Sequence, residues 1–403
     1  MIKDLILSNI FDHEIVEKIF FITKNYFEKI IFDWKFYLLL ILLFLFIIQM
    51  IYYFIFKKFI KNAKKILSKK IEKYEPVSVI ICARNEAENL KNNLPYILEQ
   101  NYSNYEVIVV NDCSHDNTEE VLVNLQKKYK HLRYTNIYED KKFTHSKKLA
   151  IIVGIKAARN DILLFTDADC RPESKDWVKY MQSNFDKNVH IVLGYGGYFE
   201  EKGLLNKYIR YDTMIIALQY FSYYLIGLPY MGVGRNMAYR KSFFFNSKGF
   251  SNHYHLISGD DDLFVNENAT KNNTAIEYHL KSHTRSVPES TLKQWIRKKC
   301  RHYITSKLYK LKHKFVLSVD YISKLLFYIL FVYLLVTNFA IEVVISIFVL
   351  KFLLNLILMK KVMRILNEKH FWLLTPLFEI FSLILNILVF FQSRIRYKNI
   401  SWK

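Results

Sequence analysis

Hydrophobic and polar positions divide this chain into three regimes. Phe36–Phe56 is an uncharged run of 21 residues between Lys35 and Lys57. A helix of that length spans a hydrocarbon core, which predicts a transmembrane segment rather than a buried core helix. Between Pro76 and Phe315, short apolar runs alternate with longer amphipathic stretches. Beyond that, Tyr321–Asn338, Ala340–Met359 and Phe371–Phe391 are again long and apolar.

In the middle regime, Val77–Cys82, Glu106–Val110, Ile162–Phe165 and His190–Phe199 carry strand signals. Glu88–Glu99, Asn117–Tyr129 and Lys147–Ala158 read as helices. Continuous apolar runs suit strands buried on both faces. Their alternation with helices predicts an α/β fold with a doubly wound, mostly parallel sheet. Leu204–Gly227 is long, apolar and Tyr-rich, and is predicted as a helix against a membrane or lining a channel.

The predicted layout has six parts. They are an amphipathic segment at 1–34, a transmembrane helix at 35–57, a basic linker at 58–75, the α/β domain at 76–315, two or three membrane helices at 316–393, and a basic tail at 394–403. No secretory cleavage pattern precedes the first span. The basic stretch KKFIKNAKKILSKKIEK after it places the following domain in the cytoplasm. KKVMRILNEKH at 360–370 is also basic and belongs to the same side. Counting spans then puts the tail SRIRYKNISWK outside, against the charge rule. Either Phe371–Phe391, which contains Glu379, does not cross, or the tail is an exception.

Composition narrows the partners. Apolar residues make up 52% of the 403 and aromatics 16%, with a net charge of +21. Such a charge suits nucleic acid or an anionic membrane. The excess is concentrated beside the apolar segments and no nucleic-acid module is present, which favours the membrane. The tyrosines fit an aromatic belt at the interface better than sugar stacking. Cys82, Cys113, Cys170 and Cys300 are far apart, which argues against zinc and disulfides and fits a reduced, cytosolic setting.

Candidate chemistry sits where strands end. Ile162–Phe165 runs into Thr166-Asp167-Ala168-Asp169. Two carboxylates at the carboxyl end of a buried strand are costly unless a cation is near, and ligands of open α/β sheets bind there. Alone, the pair fits a solvated turn better than a metal site. However, Val77–Cys82 also ends in Ala83-Arg84-Asn85-Glu86, and Glu106–Val110 ends in Asn111-Asp112. Three such turns share one crevice in a parallel sheet. Their oxygens suit Mg2+ or Mn2+ bridged to substrate phosphates. G-x-G-x-x-G and P-loop patterns are absent.

PVSVIICARNEAENL, EVIVVNDCSHDNTEEVL and SKKLAIIVGIKAARNDILLFTDADCRP together resemble membrane-bound bacterial family 2 glycosyltransferases of the GT-A fold, over about Pro76–Tyr303. The resemblance implies that Ala83 and Glu86 flank a nucleotide base and ribose, and that Asp112 accepts from the base edge. Lys147 matches the lysine of a G-K-x-x-A-L segment, with Ser146 replacing the glycine. Asp169 is implied as the direct metal ligand, and Asp167 as a contact to the ribose or the same ion. Ser258-Gly259-Asp260-Asp261-Asp262-Leu263 supplies the base, Asp260 in one alignment and Asp261 after a one-residue slip. Gly259 stands where the family has Glu. Acids at a helix start are also favoured by its dipole.

Gln294–His302 resembles the family's Q-x-x-R-W helix in either of two registers, Gln294/Arg297 or, slightly favoured, Lys298/Arg301/His302. Trp295 would line the acceptor site, and an arginine would meet the diphosphate. A basic helix on lipid headgroups fits the same residues. Gly232–Arg240 reads as a strand and turn beside the acceptor, or as a structural turn.

The resemblance implies an inverting glycosyltransferase of cell-envelope glycan or glycolipid synthesis. It would be multi-pass in the bacterial inner membrane, with a cytoplasmic catalytic domain. Its partners would be a nucleotide-sugar donor, membrane lipid and a lipid-linked or membrane-associated acceptor. Two rivals are a processive polysaccharide synthase, for which the spans are few and the motif tryptophan missing, and a non-catalytic nucleotide- or lipid-binding membrane adaptor.

Overall fold

The computed structural model describes residues 33–67, 74–139, 146–256 and 258–395. Most of the expected amphipathic segment at 1–34, residues 68–73 of the basic linker, and nearly all of the 394–403 tail lie outside the described residues.

The elements follow in order. Helix α1 (Lys35–Leu67) precedes β1 (Val77–Ala83), α2 (Ala87–Leu98), β2 (Tyr105–Asp112), α3 (Thr118–Lys128) and β3 (Leu132–Ile137). Next come α4 (Lys147–Ala157), β4 (Ile162–Asp167), β5 (Cys170–Pro172), α5 (Trp177–Gln182), β6 (Ile191–Gly194) and β7 (Gly196–Tyr198). Then α6 (Leu204–Leu225), β8 (Met237–Arg240), α7 (Lys241–Asn246), α8 (Asp262–Asn268), β9 (Thr274–Glu277) and β10 (Thr284–Ser286) complete the α/β part. Four helices close the chain: α9 (Leu292–Ser306), α10 (Leu311–Val336), α11 (Ile341–Ile365) and α12 (Thr375–Ile395).

Seven strands form one sheet in the order β3-β2-β1-β4-β8-β6-β9. β1 pairs in parallel with β2 and β4, and β8 runs antiparallel between β4 and β6. The predicted α/β, mostly parallel sheet is therefore observed. β1 is buried on both faces because α2 and α5 cover one side and α4 the other; Val77, Val79, Ile81, Leu94 and Trp177 share the first core. Strand order reverses between β1 and β4, the topological switch point where such sheets bind ligands. A second sheet, β5-β10-β7, stands beside it and places Ser286 opposite both Cys170 and Tyr198.

Four expectations are corrected. His190–Phe199 is two strands in different sheets, because the chain turns at Tyr195. Gly194 permits that turn, since a Cβ there would lie 2.6 Å from Asn236 Cγ. Strand β3 arises where no strand was expected: it is an edge strand in which Leu132 is buried and the rest half-exposed, so it lacks an apolar run. Helix α6, expected against a membrane or lining a channel, is packed into the domain, with Thr213, Ile216 and Ala217 on a cavity. Its Met214, Leu218, Tyr220 and Phe221 are buried in the domain, and Phe59 stacks on Phe221 at 5.7 Å. Many tyrosines expected in an interfacial belt are likewise interior, Tyr195, Tyr198, Tyr220, Tyr239 and Tyr278 among them.

The described residues fall into two compact units, one within Met1–Tyr52 and Ser318–Asn355, the other within Tyr53–Leu317 and Leu356–Lys403. In the first, segments of α1, α10 and α11 pack through Leu42, Phe327, Leu334 and Val344. Among the described residues, four helical stretches are long and apolar enough to cross a membrane: Lys35–Ile66, Leu311–Val336, Ile341–Ile365 and Trp372–Ser393.

Candidate active site

The ends of β1, β2 and β4 lie level in register, with Ala83 beside Asn111 and Cys82 beside Asp167. The first two turns are laced together. Asn85 N–H donates to Ser114 Oγ at 2.9 Å, and Ala87 N–H donates to Asp116 Oδ2 at 3.1 Å. Helix α4 opens with Ser146 as N-cap, its hydroxyl accepting from Leu149 N–H. This is what the serine does in place of the glycine: it starts the helix so that Lys147, the next residue, points at the strand ends.

Lys147 is the hinge of the site. Its Nζ donates to Asp167 Oδ1 at 2.7 Å and lies 3.4 Å from Asp260 Oδ2. It thereby joins the strand-end carboxylate to the acidic turn before α8. Burial disfavours its charge, but Asp167, Asp260 and Asp261 overcome that and hold its pKa well above the usual lysine value. Burial also works to raise the Asp167 pKa, and Lys147, helped by Arg235 and Lys298, brings it below the ordinary range.

The three adjacent acids have three environments. Asp260 faces Lys147 in the pocket. Asp261 accepts from Gly234 N–H at 2.8 Å and from Asp262 N–H at 2.7 Å. Burial, then Asp260 and Asp262, push it up to about 7. Asp262 accepts from the hydroxyls of Thr305 and, at 2.8 Å, Tyr309, and so ties the turn to α9 and the segment after it. Gly259 replaces glutamate for a backbone reason: its φ is +100° and a Cβ would meet Leu263 Cδ1 at 2.5 Å. Beneath the turn, buried Lys148 donates to the carbonyls of His253 and, at 3.1 Å, Leu256, and burial lowers its pKa to about 8.

Ligand atoms of Asp167, Asp169 and Cys170 lie within 4.8 Å of one another. Burial and the neighbouring aspartates raise the Cys170 thiol well above its usual range, so it stays protonated. What remains is a pair of carboxylates, a donor set that fits a hard divalent cation. Ser286 Oγ donates to Asp169 Oδ2 at 2.7 Å and fixes that carboxylate.

Opposite this acidic wall stands a cationic one. The Arg235 guanidinium lies over the Tyr198 ring at 4.3 Å from its centroid, and Lys298 Nζ lies over the same ring at 5.2 Å. The Arg235 carbonyl accepts from Thr166 and Thr284 hydroxyls, both at 3.0 Å, which clamps the residue between the two sheets. Its Nη1 is buried with no hydrogen-bond partner among the described residues. Trp295 meets Tyr198 edge-on at 5.9 Å. His302 is open to the cavity yet crowded by protein atoms, and that desolvation, with Arg301 and Lys298 nearby, holds its imidazole well below its usual pKa and so neutral.

These groups share one cavity of about 330 Å³. Of the residues singled out in the sequence, Glu86, Lys147, Asp167, Asp169, Asp260, Asp261, Trp295, Arg301 and His302 line it. Ala83 does not, because its side chain is in the core at the end of β1. Asp112 is fully buried beside Cys113, outside the lining. Arg297 is exposed, on another face of α9 from Trp295 and Lys298. Gln294 is engaged at the helix start in a capping box with Thr291, so the Lys298/Arg301/His302 register faces the cavity. Sequence reasoning missed Ser286, Tyr198 and Arg235. Arg235 sat inside a quoted motif, but nothing local separates it from an ordinary turn arginine.

The α/β scaffold, with acids at a switch point and a second sheet behind them, is the GT-A fold. Residues 78–247, somewhat under half of the chain, match the family described as glycosyl transferase family 2. It is 28% identical over 145 residues to a poly-β-1,6-N-acetyl-D-glucosamine synthase of Staphylococcus epidermidis, covering 36% of this chain and 34% of that protein. It is 26% identical over 173 residues to the enzyme of the same name from Staphylococcus aureus strain COL, covering 42% and 40%. The match thus spans well under half the length of these relatives. Among solved structures, a mannosyltransferase from Pyrobaculum calidifontis in complex with GDP-Man and Mn2+ superposes with a TM-score of 0.51 and 16% identity, over 73% of this chain and 87% of that one.

Proposed function

We propose that this protein is an inverting glycosyltransferase that moves a sugar from a nucleoside-diphosphate donor to a lipid-linked or membrane-associated acceptor in cell-envelope glycan or glycolipid synthesis. One observation carries the reading: a single lysine joins the D-x-D carboxylate Asp167 to Asp260 across the mouth of a family 2 fold.

The chemistry follows from the placements. Asp260, buried and facing the cavity, is the base that takes the acceptor hydroxyl's proton as its oxygen attacks the anomeric carbon. The bond from that carbon to the donor diphosphate breaks in the same step, and the diphosphate leaves with the electron pair. Mg2+ or Mn2+ held by Asp169 and Asp167 would supply positive charge at the diphosphate oxygens. Arg235 and Lys298 meet the departing charge from the other wall, and the spare Nη1 donor of Arg235 is the group that gains a partner. Lys147 keeps Asp167 and Asp260 in one arrangement while the proton passes to Asp260 and the electron pair leaves with the diphosphate. Glu86 and Arg84 line the end where the nucleotide sits. Ile216, Ala217, Tyr230 and Trp295 give the acceptor end an apolar, aromatic lining. The basic end of α1 and the basic stretch at 360–370 support a cytoplasmic site in a bacterial inner membrane.

A thermal-shift screen of the purified protein against nucleotide sugars, with and without Mn2+, tests this. One donor should raise the melting temperature in a metal-dependent way. No response to any nucleotide sugar or nucleoside diphosphate contradicts the reading. The likeness to poly-β-1,6-N-acetyl-D-glucosamine synthases favours a processive variant of the same chemistry. Product length separates the two: a ladder of polymer supports processive synthesis, and a single added sugar rules it out.

A further inference from the structure

We infer that α12 lies along the membrane surface instead of crossing it, so that the chain crosses three times and ends on the same side as its α/β domain. By length and composition α12 qualifies as a span. Its packing says otherwise. Near its start, the Tyr208 ring meets Phe378 at 5.6 Å and Phe381 at 4.7 Å, and Tyr208 Oη is 3.2 Å from Ser382 Oγ. Near its end, Tyr303 meets Phe390 at 5.8 Å, and Cys300 Sγ donates to the Val389 carbonyl at 3.8 Å. The partners are α6 and α9, so the domain accompanies α12 along its length. Helix α9 carries Lys293, Arg297, Lys298, Lys299 and Arg301, and cannot follow a span into hydrocarbon. The approach to α12 is anchored as well. Buried Glu368 accepts from Tyr195 Oη and Arg210 Nε, both at 2.8 Å, and from Arg285.

The outward side of α12 is a stripe. Leu377, Ile380, Ile384, Leu388 and Phe391 are exposed and recur at helical spacing, while Phe378, Leu385 and Val389 on the other side are buried. Glu379 and Asn386 fall off the stripe by the same spacing. An apolar face on a helix docked to a charged domain suits burial at the headgroup boundary of a bilayer. Charge agrees. Residues 394–403 contain Arg394, Arg396, Lys398 and Lys403 and no acid, a set that anionic headgroups attract. Residues 1–34 hold six acidic and four basic residues. Three crossings put the acid-rich end outside and the basic end inside, whereas four put both outside.

The test uses the full-length protein in cells, with S401C in the tail and K187C on the α/β domain as separate variants, each corrected for wild-type labelling. A membrane-impermeant maleimide is applied to intact spheroplasts and to inverted vesicles. Both positions are expected to label in inverted vesicles and neither in spheroplasts. Labelling of S401C in spheroplasts with K187C protected overturns the inference. Labelling of both in spheroplasts retains it and instead removes the cytoplasmic placement proposed above, so the two failures are distinguishable.

Discussion

The two walls of the active-site cavity are built in opposite ways. The acidic wall is local: Lys147, Asp167 and Asp169 belong to one helix–strand unit, with Asp260 brought to Lys147 by the turn before α8. The cationic wall is tertiary: Tyr198, Arg235 and Lys298 come from β7, the turn before β8, and α9. Acids at strand ends need no distant partner to stay near water. A cation stacked on an aromatic ring needs both placed by the whole fold. The comparison teaches that the wall proposed to hold the metal and base can be written in short motifs, while the wall proposed to receive the leaving group cannot.

Exchanging adjacent acids breaks this comparison most severely. Asp260→Asn should lower nucleoside diphosphate release by about 10²–10⁴-fold, the range a positioned general base supplies. Asp261→Asn, whose carboxylate is engaged by two backbone N–H groups, should cost less than about tenfold. The reverse order makes Asp261 the base. Next in size is Arg235→Met, which should weaken nucleoside diphosphate binding in the presence of Mn2+ by about 10- to 100-fold, the worth of one charge-assisted hydrogen bond. Arg297→Met, on the exposed side of α9, should leave it unchanged in the same calorimetric titration. Equal losses would dissolve the distinction between the two arginines. Removing the hydroxyl that fixes Asp169, in Ser286→Ala, should raise the Mn2+ concentration for half-maximal activity by about tenfold. An unchanged metal requirement leaves Ser286 a purely structural role.

The smallest effect is on stability. Asp261 holds a proton up to about pH 7 in the folded chain, whereas an unfolded aspartate releases it near pH 3.9. The folded state therefore binds the extra proton between those values, and stability falls as pH rises through that window. Melting temperatures from pH 4.5 to 8 should decline in the wild type and decline less in Asp261→Asn. Parallel curves contradict the assignment.

The same contrast explains what was legible. Runs such as VSVIIC and ILLF announce buried parallel strands, and the acids after them announce a ligand crevice, because both signals are complete within a few residues. The sequence favours the Lys298/Arg301/His302 register only slightly, since the choice turns on Gln294 being taken by a capping box. Arg235 and Ser286 were illegible because their meaning lies in Tyr198 and Asp169, brought close by the small second sheet. Tyrosine richness pointed to an interfacial belt, yet Phe59, Phe221 and Tyr278 pack ring on ring inside the domain. Composition cannot separate those outcomes, because Tyr suits a wet interface and a core that satisfies its hydroxyl equally well.

Metal-assisted sugar transfer at Asp169 is tested most directly by nucleoside diphosphate release from the stabilising nucleotide sugar, in wild type and Asp169→Asn, across a Mn2+ titration. Wild type should be active only with the cation. Asp169→Asn should stay at background with its melting temperature retained. Release that persists in chelator, or an Asp169→Asn variant as active as wild type, contradicts a metal–diphosphate site at this strand end.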